Sequence, residues 1–514
     1  MNQLPVLAIL VPLLGGALSL FVEHRRIGTW VQRSVAWSSM LALLLVAIAL
    51  AMDAAGGAVG VYLLGDWPAR LGIALVVDRL SAMMVLATTL LAIPCLLHAC
   101  AGWDRRAPHF HALFQLQLVG LNGAFLTGDV FNLFVFFEVM LIASYGLLLS
   151  GGRGVRMSAG LHYVGFNIAA STLFLIALGL LYGLLGTLNM GELAVRIARV
   201  APADAALVKA AIGLLLVVFC AKAALLPLSL WLPETYTRAP ASVAALFVVM
   251  TKVGVYAVLR IGTLLLGAGA GAFAGYGWDW MLPASVAGLA LGSLGVLAAA
   301  RMRTLAAYLV MVSAATLLIA FGLRQPGTLA AGLYYLVHSL FVAAALFMIA
   351  ELVRRGRGDG GNDLRDIVPM PALRNLAGGL FLVASVSVAG LPPLSGFIGK
   401  LALLQAVPAG HVGWTWVAIL GSSFMVLVGL ARAGVRLFWK PIAAAAPSPT
   451  DSTRRASTRP AETAAIVLLL AYGLAMTVLA GPLLRQTRAT ADQLLAPGQH
   501  VGALRATLPK GRDP

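Results

Sequence analysis

Residues 205–234 read AALVKAAIGLLLVVFCAKAALLPLSLWLPE. The run up to Pro227 holds about the 20 apolar residues that a membrane-crossing helix needs. It also contains a lysine, Lys222, and then breaks at Pro227 and Pro233. Proline removes a backbone donor and cannot continue a helix interior. A lysine in such a run costs at least about 2.5–3.5 kcal/mol even on a lenient insertion scale. Residues 389–404, AGLPPLSGFIGKLALL, repeat the arrangement with Pro392, Pro393, Gly396 and Lys400. Interrupted helices expose backbone carbonyls near the membrane midplane, which is tolerated only where protein or water satisfies them. Both breaks therefore point to the interior of a helical membrane bundle.

Composition agrees. The chain has 514 residues, of which 61% are hydrophobic and 11% charged, and its mean hydropathy is +0.93. An ordinary soluble domain is about half apolar and about a quarter charged. A soluble enzyme, a disordered chain and a disulfide scaffold are excluded. A transmembrane barrel is excluded too, because its apolar runs would be short and alternating. The expected fold is an all-α polytopic membrane protein with fourteen spans, near 4–22, 34–52, 73–98, 109–127, 130–150, 160–184, 205–227, 241–263, 280–299, 304–322, 328–352, 375–406, 412–437 and 462–484. Spans 7 and 12, the two broken ones, are five apart. That spacing fits two five-span repeats, spans 4–8 and 9–13, inverted because each repeat is odd-numbered. The expected organisation is an N-terminal three-helix segment (1–108), a first repeat (109–263), a second repeat (280–437), a linker (438–461), and a last helix with a tail (462–514).

The formal charge of +17 is a topology signal, not a nucleic-acid signal. With the loop after span 1 set inside, inside loops hold twenty-one Lys and Arg residues and outside loops four: Arg70, Arg196, Arg199 and Arg324. Basic residues accumulate on the cytoplasmic side, so both termini are expected outside. The basic tail after span 14 runs against the trend and reads as a segment on the outer surface. No cleavable signal is expected, because MNQLP has no basic start and Leu4–Val22 is long enough to remain as an anchor. The three cysteines, Cys95, Cys100 and Cys220, form no CxxC or Cys/His motif, so neither a metal nor a cofactor is expected.

Only six residues are lysines: Lys209, Lys222, Lys252, Lys400, Lys440 and Lys510. Lys222, Lys252 and Lys400 fall deep within apolar runs, while the loops use arginine almost exclusively. Arginine stays charged, whereas a desolvated lysine can release its proton. A group that must gain and lose a proton inside a membrane can therefore be lysine but not arginine. Glu138, in the apolar run 129–148, lacks a neighbouring cation and needs a partner on another helix. His338 titrates near neutrality and reads equally as a proton site or a satisfied structural histidine. Lys252 could also be a structural partner of a carboxylate or a helix end. Lys209 is expected to snorkel, His162 to be interfacial, and Asp78-Arg79 to form a local pair or an outer-mouth feature.

Three strings, LTGDVFNLFVFFEVMLIASYGLL (126–148), KAALLPLSLWLPETYTRAPASVAALFVVMTKVGVYAVLR (222–260) and AGLPPLSGFIGKLALL (389–404), resemble the antiporter-like proton-pumping subunits of respiratory complex I, membrane-bound hydrogenases and Mrp-type cation/proton antiporters. The resemblance covers roughly spans 3–13 and is greatest to the D-type subunits of the Mrp group. It implies a central polar axis. Glu138 matches the fifth-helix glutamate that pairs with the broken seventh-helix lysine, here Lys222. Lys252, His338 and Lys400 match the eighth-helix lysine, the eleventh-helix histidine and the terminal lysine of the broken twelfth helix. Some relatives carry a further lysine in the eleventh helix, where this chain has Phe341-Val342-Ala343, so that link would rest on histidine and water. The resemblance implies a secondary-transport subunit in the bacterial inner membrane. It would work with sister subunits of a hetero-oligomeric complex and handle protons with Na⁺ or K⁺, without a cofactor. A redox-driven complex I or hydrogenase subunit is the alternative, and a structural scaffold with a vestigial axis is a second.

Overall fold

The computed structural model describes residues 3–67, 72–152, 154–357, 373–440 and 459–506. The chain is 81% helical. Twelve helices among the described residues are long and apolar enough to cross a membrane. Each of the expected fourteen runs contains a helix, but α4 (Phe110–Leu126) and α14 (Arg374–Ala389) fall short at 17 and 16 residues.

The chain opens with α1 (Leu4–His24) and α2 (Thr29–Ala55), and α3 spans Arg79–Cys100. After α4 come α5 (Val130–Leu149), α6 (Gly154–Leu185) and the short α7 (Met190–Ile197). The first broken element is α8 (Ala205–Lys222) with α9 (Trp231–Arg238), followed by α10 (Ala241–Leu264). Next are α11 (Trp278–Ala298), α12 (Met302–Gly322) and α13 (Pro326–Gly356). The second break separates α14 from α15 (Ser395–Gln405). The chain ends with α16 (Val412–Gly434), α17 (Pro460–Val478), α18 (Ala480–Leu495) and α19 (Gly498–Ala506).

Helices α10, α12 and α13 are buried along nearly their whole apolar length and form the centre. They are apolar all round, as a helix enclosed by other helices must be. Helices α1, α2, α6, α16 and α17 leave most of their surface uncovered by the chain.

Two features depart from the expectations. The first is a small antiparallel hairpin, β1 (Gly60–Leu63) with β2 (Ala74–Val77), so the fold is not purely helical. Strand β2 lies within the expected third span because ALVV runs straight into the helix in sequence. Asp78 ends the strand and starts α3: its carboxylate accepts the backbone N–H of Ser81 at 2.8 Å, and the Ser81 hydroxyl accepts that of Asp78 at 2.9 Å. This reciprocal arrangement satisfies two otherwise unpaired donors.

The second is the pairing of Asp78 at the place where the tail docks. The described part of the tail forms α18 and α19, which dock on the hairpin end of the bundle. Asp78 pairs not with its neighbour Arg79 but with Arg260 of α10, through both carboxylate oxygens. His500 of α19 closes the cluster, with Nδ1 3.2 Å from Asp78 Oδ2. Arg79 instead donates to Gln486 of α18 at 3.2 Å and to the carbonyl of Ala55 at 2.7 Å. Gln493 accepts from the Arg79 backbone and donates to the carbonyl of Gly57. Expectations for residues 358–372, for most of the linker (441–458), and for Arg70, Arg153, Lys510 and Arg512 lie outside the described residues.

Burial holds the His500 imidazole below its ordinary value of 6.5, against the pull of the Asp78 carboxylate. A released tail then binds protons more readily than a docked one. Docking is therefore complete above about pH 6.5 and weakens as the pH falls through that value. A spin label at Gly502→Cys should gain a mobile fraction between about pH 7.5 and about pH 5.5, and His500→Asn should remove the dependence. A pH-independent spectrum in the parent chain would show that His500 does not govern docking.

Candidate functional site

Helix α8 stops at Lys222 because the chain must turn before Pro227. Ala224 adopts a left-handed conformation, φ 55°, and the Leu225 N–H reaches back to the Cys220 carbonyl at 2.9 Å. The turn packs against Gly254 of α10. A β-carbon there would stand 2.6 Å from the Lys222 carbonyl carbon, so only glycine admits the broken helix. Pro233 is accommodated in the first turn of α9, where its missing N–H costs nothing.

Lys222 is 5% exposed, and its Nζ donates to Asn167 Oδ1 at 2.9 Å. Asn167 in turn donates to the Tyr163 carbonyl at 2.8 Å. Four residues along the same face of α6, the Ser171 hydroxyl donates to the Glu138 carboxylate. Glu138 is near enough for its charge to act on Lys222. The two do not form the direct ion pair expected, and α6 supplies each with a neutral partner instead. Asn167 and Ser171 went unnoticed in the sequence. The available signal was an amide and a hydroxyl four apart in the apolar stretch 166–171 (FNIAAS), a spacing that lets both serve one helix interface.

Lys252 is fully buried. Its Nζ donates to the Ser313 hydroxyl of α12 at 2.5 Å, and that hydroxyl donates to the Val310 carbonyl. His338 of α13 places Nδ1 2.9 Å from the hydroxyl of Ser395, the first residue of α15. Lys400 reaches back across the second break. It donates to the carbonyls of Val388 and Ala389 at 3.1 Å each, and to the Ser423 hydroxyl of α16 at 2.9 Å. These carbonyls end α14, where the helix dipole favours a cation. Gly390 supplies the left-handed turn, φ 79°, and a β-carbon there would stand 2.8 Å from Lys400 Cδ. The predicted site residues thus occupy two broken helices, the central helices α10 and α13, and α5. Lys209 lies instead over the Phe273 ring at 5.7 Å, and His162 is exposed.

Arginines that reach into the bundle are bound differently. Besides Arg260 with Asp78, Arg33 holds Asp104 through two hydrogen bonds, Arg303 pairs with Glu351, and Arg355 with Glu462. Asp104 also stands close to Cys100 and His111, a grouping not visible as a sequence motif. Arg33 already takes both Asp104 oxygens, so this group reads as an ion-pair cluster rather than a metal centre.

Fold and site together define a polytopic membrane protein with lysines at its two helix breaks and a lysine and a histidine in its central helices. Residues 127–426, which contain all five candidate residues, match the family model described as NADH:quinone oxidoreductase/Mrp antiporter, TM. The chain belongs to this family. It is 40% identical over 97% of its length to a probable K(+)/H(+) antiporter D-type subunit of Rhizobium meliloti (strain 1021), of which 97% is covered. It is 35% identical over 85% of its length to the Na(+)/H(+) antiporter D-type subunit of Alkalihalophilus pseudofirmus, of which 87% is covered. A chain of the Mrp complex from Dietzia sp. DQ12-45-1b superposes with a TM-score of 0.86 at 28% identity, covering 98% of this chain and 100% of that one.

Removing the acceptor of a buried ammonium should cost about 1.5–3 kcal/mol. Asn167→Leu should lower the thermal stability of the purified protein by that amount, and Lys222→Met combined with Asn167→Leu should recover most of it. A single variant that melts with the parent would mean that this hydrogen bond does not hold Lys222.

Proposed function

We propose that this chain is the proton-translocating subunit of a multisubunit monovalent cation/H⁺ antiporter, working with sister subunits in a bacterial inner membrane. Protons pass along Glu138, Lys222, Lys252, His338 and Lys400. Fourteen spans, with α4 to α10 and α11 to α16 as two inverted repeats and both termini outside, form the frame that brings the two helix breaks to the midplane.

One observation carries this reading: among the described residues, none of the three deep lysines has a carboxylate within ion-pair distance. Lys222 rests on an amide, Lys252 on a hydroxyl, and Lys400 on two peptide carbonyls and a hydroxyl. An ammonium held by neutral oxygens can give up its proton without leaving a buried carboxylate unpaired, the step that makes breaking a buried ion pair so costly. Glu138 is the movable charge beside the first lysine. A closer approach favours a charged Lys222 and a retreat favours its release, so proton hand-off follows the position of one carboxylate. A membrane potential supplies about 2.3 kcal/mol per charge per 100 mV to drive the cycle.

The test uses inverted vesicles from a host without its own antiporters or complex I, expressing this chain with its operon neighbours. After ATP hydrolysis has set up a proton gradient, added Na⁺ or K⁺ should collapse it. Lys222→Ala should cut the response by roughly 10²-fold or more, as loss of a positioned proton-transfer group does. Full transport by that variant, in an assembled complex, would refute the assignment. No cation response in the parent complex would point to a redox-driven pump.

A further inference from the structure

A cavity of about 290 Å³ lies between α13, α14, α17 and the start of α15, with His338 on its wall. Val342, Leu380, Leu394 and Leu470 form much of that wall, and among the described residues His338 and Ser387 are its only polar side chains. Apolar walls with a few placed polar groups are the usual make-up of a small-molecule site, and the volume stands near the lower end of their range of roughly 300–1,000 Å³. The mouth is formed by Val383 of α14 with Val467 and Leu474 of α17, which also line the cavity and are exposed. Both helices are apolar runs of a membrane bundle, so the cavity opens sideways, toward hydrocarbon.

The polar end lacks partners. Ser395 takes Nδ1 of His338 at 2.9 Å. A β-carbon on Gly396 would stand 2.9 Å from Nε2, and the glycine leaves that nitrogen uncovered. Neither Nε2 nor the Ser387 hydroxyl has a hydrogen-bond partner among the described residues. Buried polar groups left without a partner are costly, and an apolar cavity holds no water to supply one. With the Ser395 hydroxyl donating to Nδ1, the neutral imidazole carries its proton on Nε2. The cavity then offers an N–H and a hydroxyl to an acceptor.

The surroundings select the ligand. Lys400 is near enough for its charge to act on His338, which disfavours an ammonium head. A phospholipid head stays at the interface, whereas His338 lies in the middle of the 31-residue α13. A protonated carboxylic acid is neutral, so it enters the apolar interior without the cost of a buried charge. Its oxygens match the two donors, its chain matches the apolar wall, and the rest of the chain leaves through the open mouth. We propose that this cavity is a binding site for a long-chain carboxylic acid, which enters from the bilayer and sets its carboxyl group against His338 and Ser387.

The test uses the assembled complex in lipid nanodiscs and a palmitic acid that carries a photoreactive diazirine on its chain. Labelling should concentrate on the cavity-lining parts of α14 and α17. Unlabelled palmitic acid should remove most of it, and hexadecylamine at the same concentration should not. Ser387→Ala should weaken binding roughly two- to tenfold, as loss of one hydrogen bond does. Gly473→Leu fills the cavity from α17 and should abolish labelling; a β-carbon there meets only Ser395 Oγ at 3.8 Å, an ordinary contact. If Gly473→Leu does not assemble, Val383→Trp, which closes the mouth, takes its place. Label spread evenly over the exposed helices, or unchanged in the filled variant, would mean bilayer contact only and would overturn the site. Equal competition by the amine would overturn the carboxylic acid. The site itself does not depend on the axis reading, but one consequence does: with His338 on the proton path, the acid should slow cation-dependent flux in the parent and not in Gly473→Leu. Specific labelling without slowing would uphold the site and count against the route through His338.

Discussion

Lys222, Lys252 and Lys400 are held in the bundle by an amide, hydroxyls and peptide carbonyls, and the architecture around them follows from the need to supply those oxygens. A regular helix has no free carbonyls in its interior, because each already accepts an intrahelical bond. Breaking α14 at Gly390 releases the carbonyls of Val388 and Ala389 for Lys400. Breaking α8 brings Lys222 to a helix end against α6 and α10. The glycines and prolines at these points are there to end helices within the bundle.

The arginines show the opposite solution to the same electrostatic problem. Arg260 is buried as deeply as Lys222, yet it is fixed to Asp78 through two bonds and braced by Tyr256, while His500 holds Asp78. A guanidinium keeps its proton, so its stable burial requires a carboxylate and geometry that satisfies its donors. Such a pair is a fastening. It joins the start of α3, the far end of α10 and the tail helix α19 at one end of the bundle. The Arg303–Glu351 and Arg355–Glu462 pairs fasten α12 to α13 and α13 to α17 near the other. Rigid ion pairs at the ends and neutral partners in the middle divide the molecule into a clamp and the proposed conduit.

The sequence made part of this division legible. The use of lysine within apolar runs and arginine outside them marked the proposed conduit, and the prolines marked both breaks. The partners were not legible. Asn167, Ser171 and Ser313 are uncharged residues of kinds that also occur wherever membrane helices pack, and only three-dimensional proximity distinguishes them. The Glu138–Lys222 pair that the resemblance implied is not a direct contact for a related reason: a matched motif can nominate two residues but says nothing of the helix between them. The hairpin was hidden because β2 and α3 form one continuous apolar run. The tail was hidden because its fastening is made by residues far apart in sequence, Asp78, Arg260 and His500.

In the proposed conduit, the contrast between Glu138 and the lysines is what would allow switching. A carboxylate bonded to a serine is only partly covered, whereas Lys222 and Lys252 are enclosed. Moving the enclosed groups would disturb close-packed helices, which resist small displacements. Moving Glu138 needs only a change of hydrogen-bond partner at the edge of α5 and α6. The electrostatic work done on Lys222 by that change grows as the surroundings become drier. The charge proposed to move is therefore the partly covered one, while the groups that would respond to it are held where the dielectric makes them most sensitive. A direct salt bridge would have spoiled this arrangement by fixing both partners, and the interposed Asn167 and Ser171 keep the coupling electrostatic and reversible.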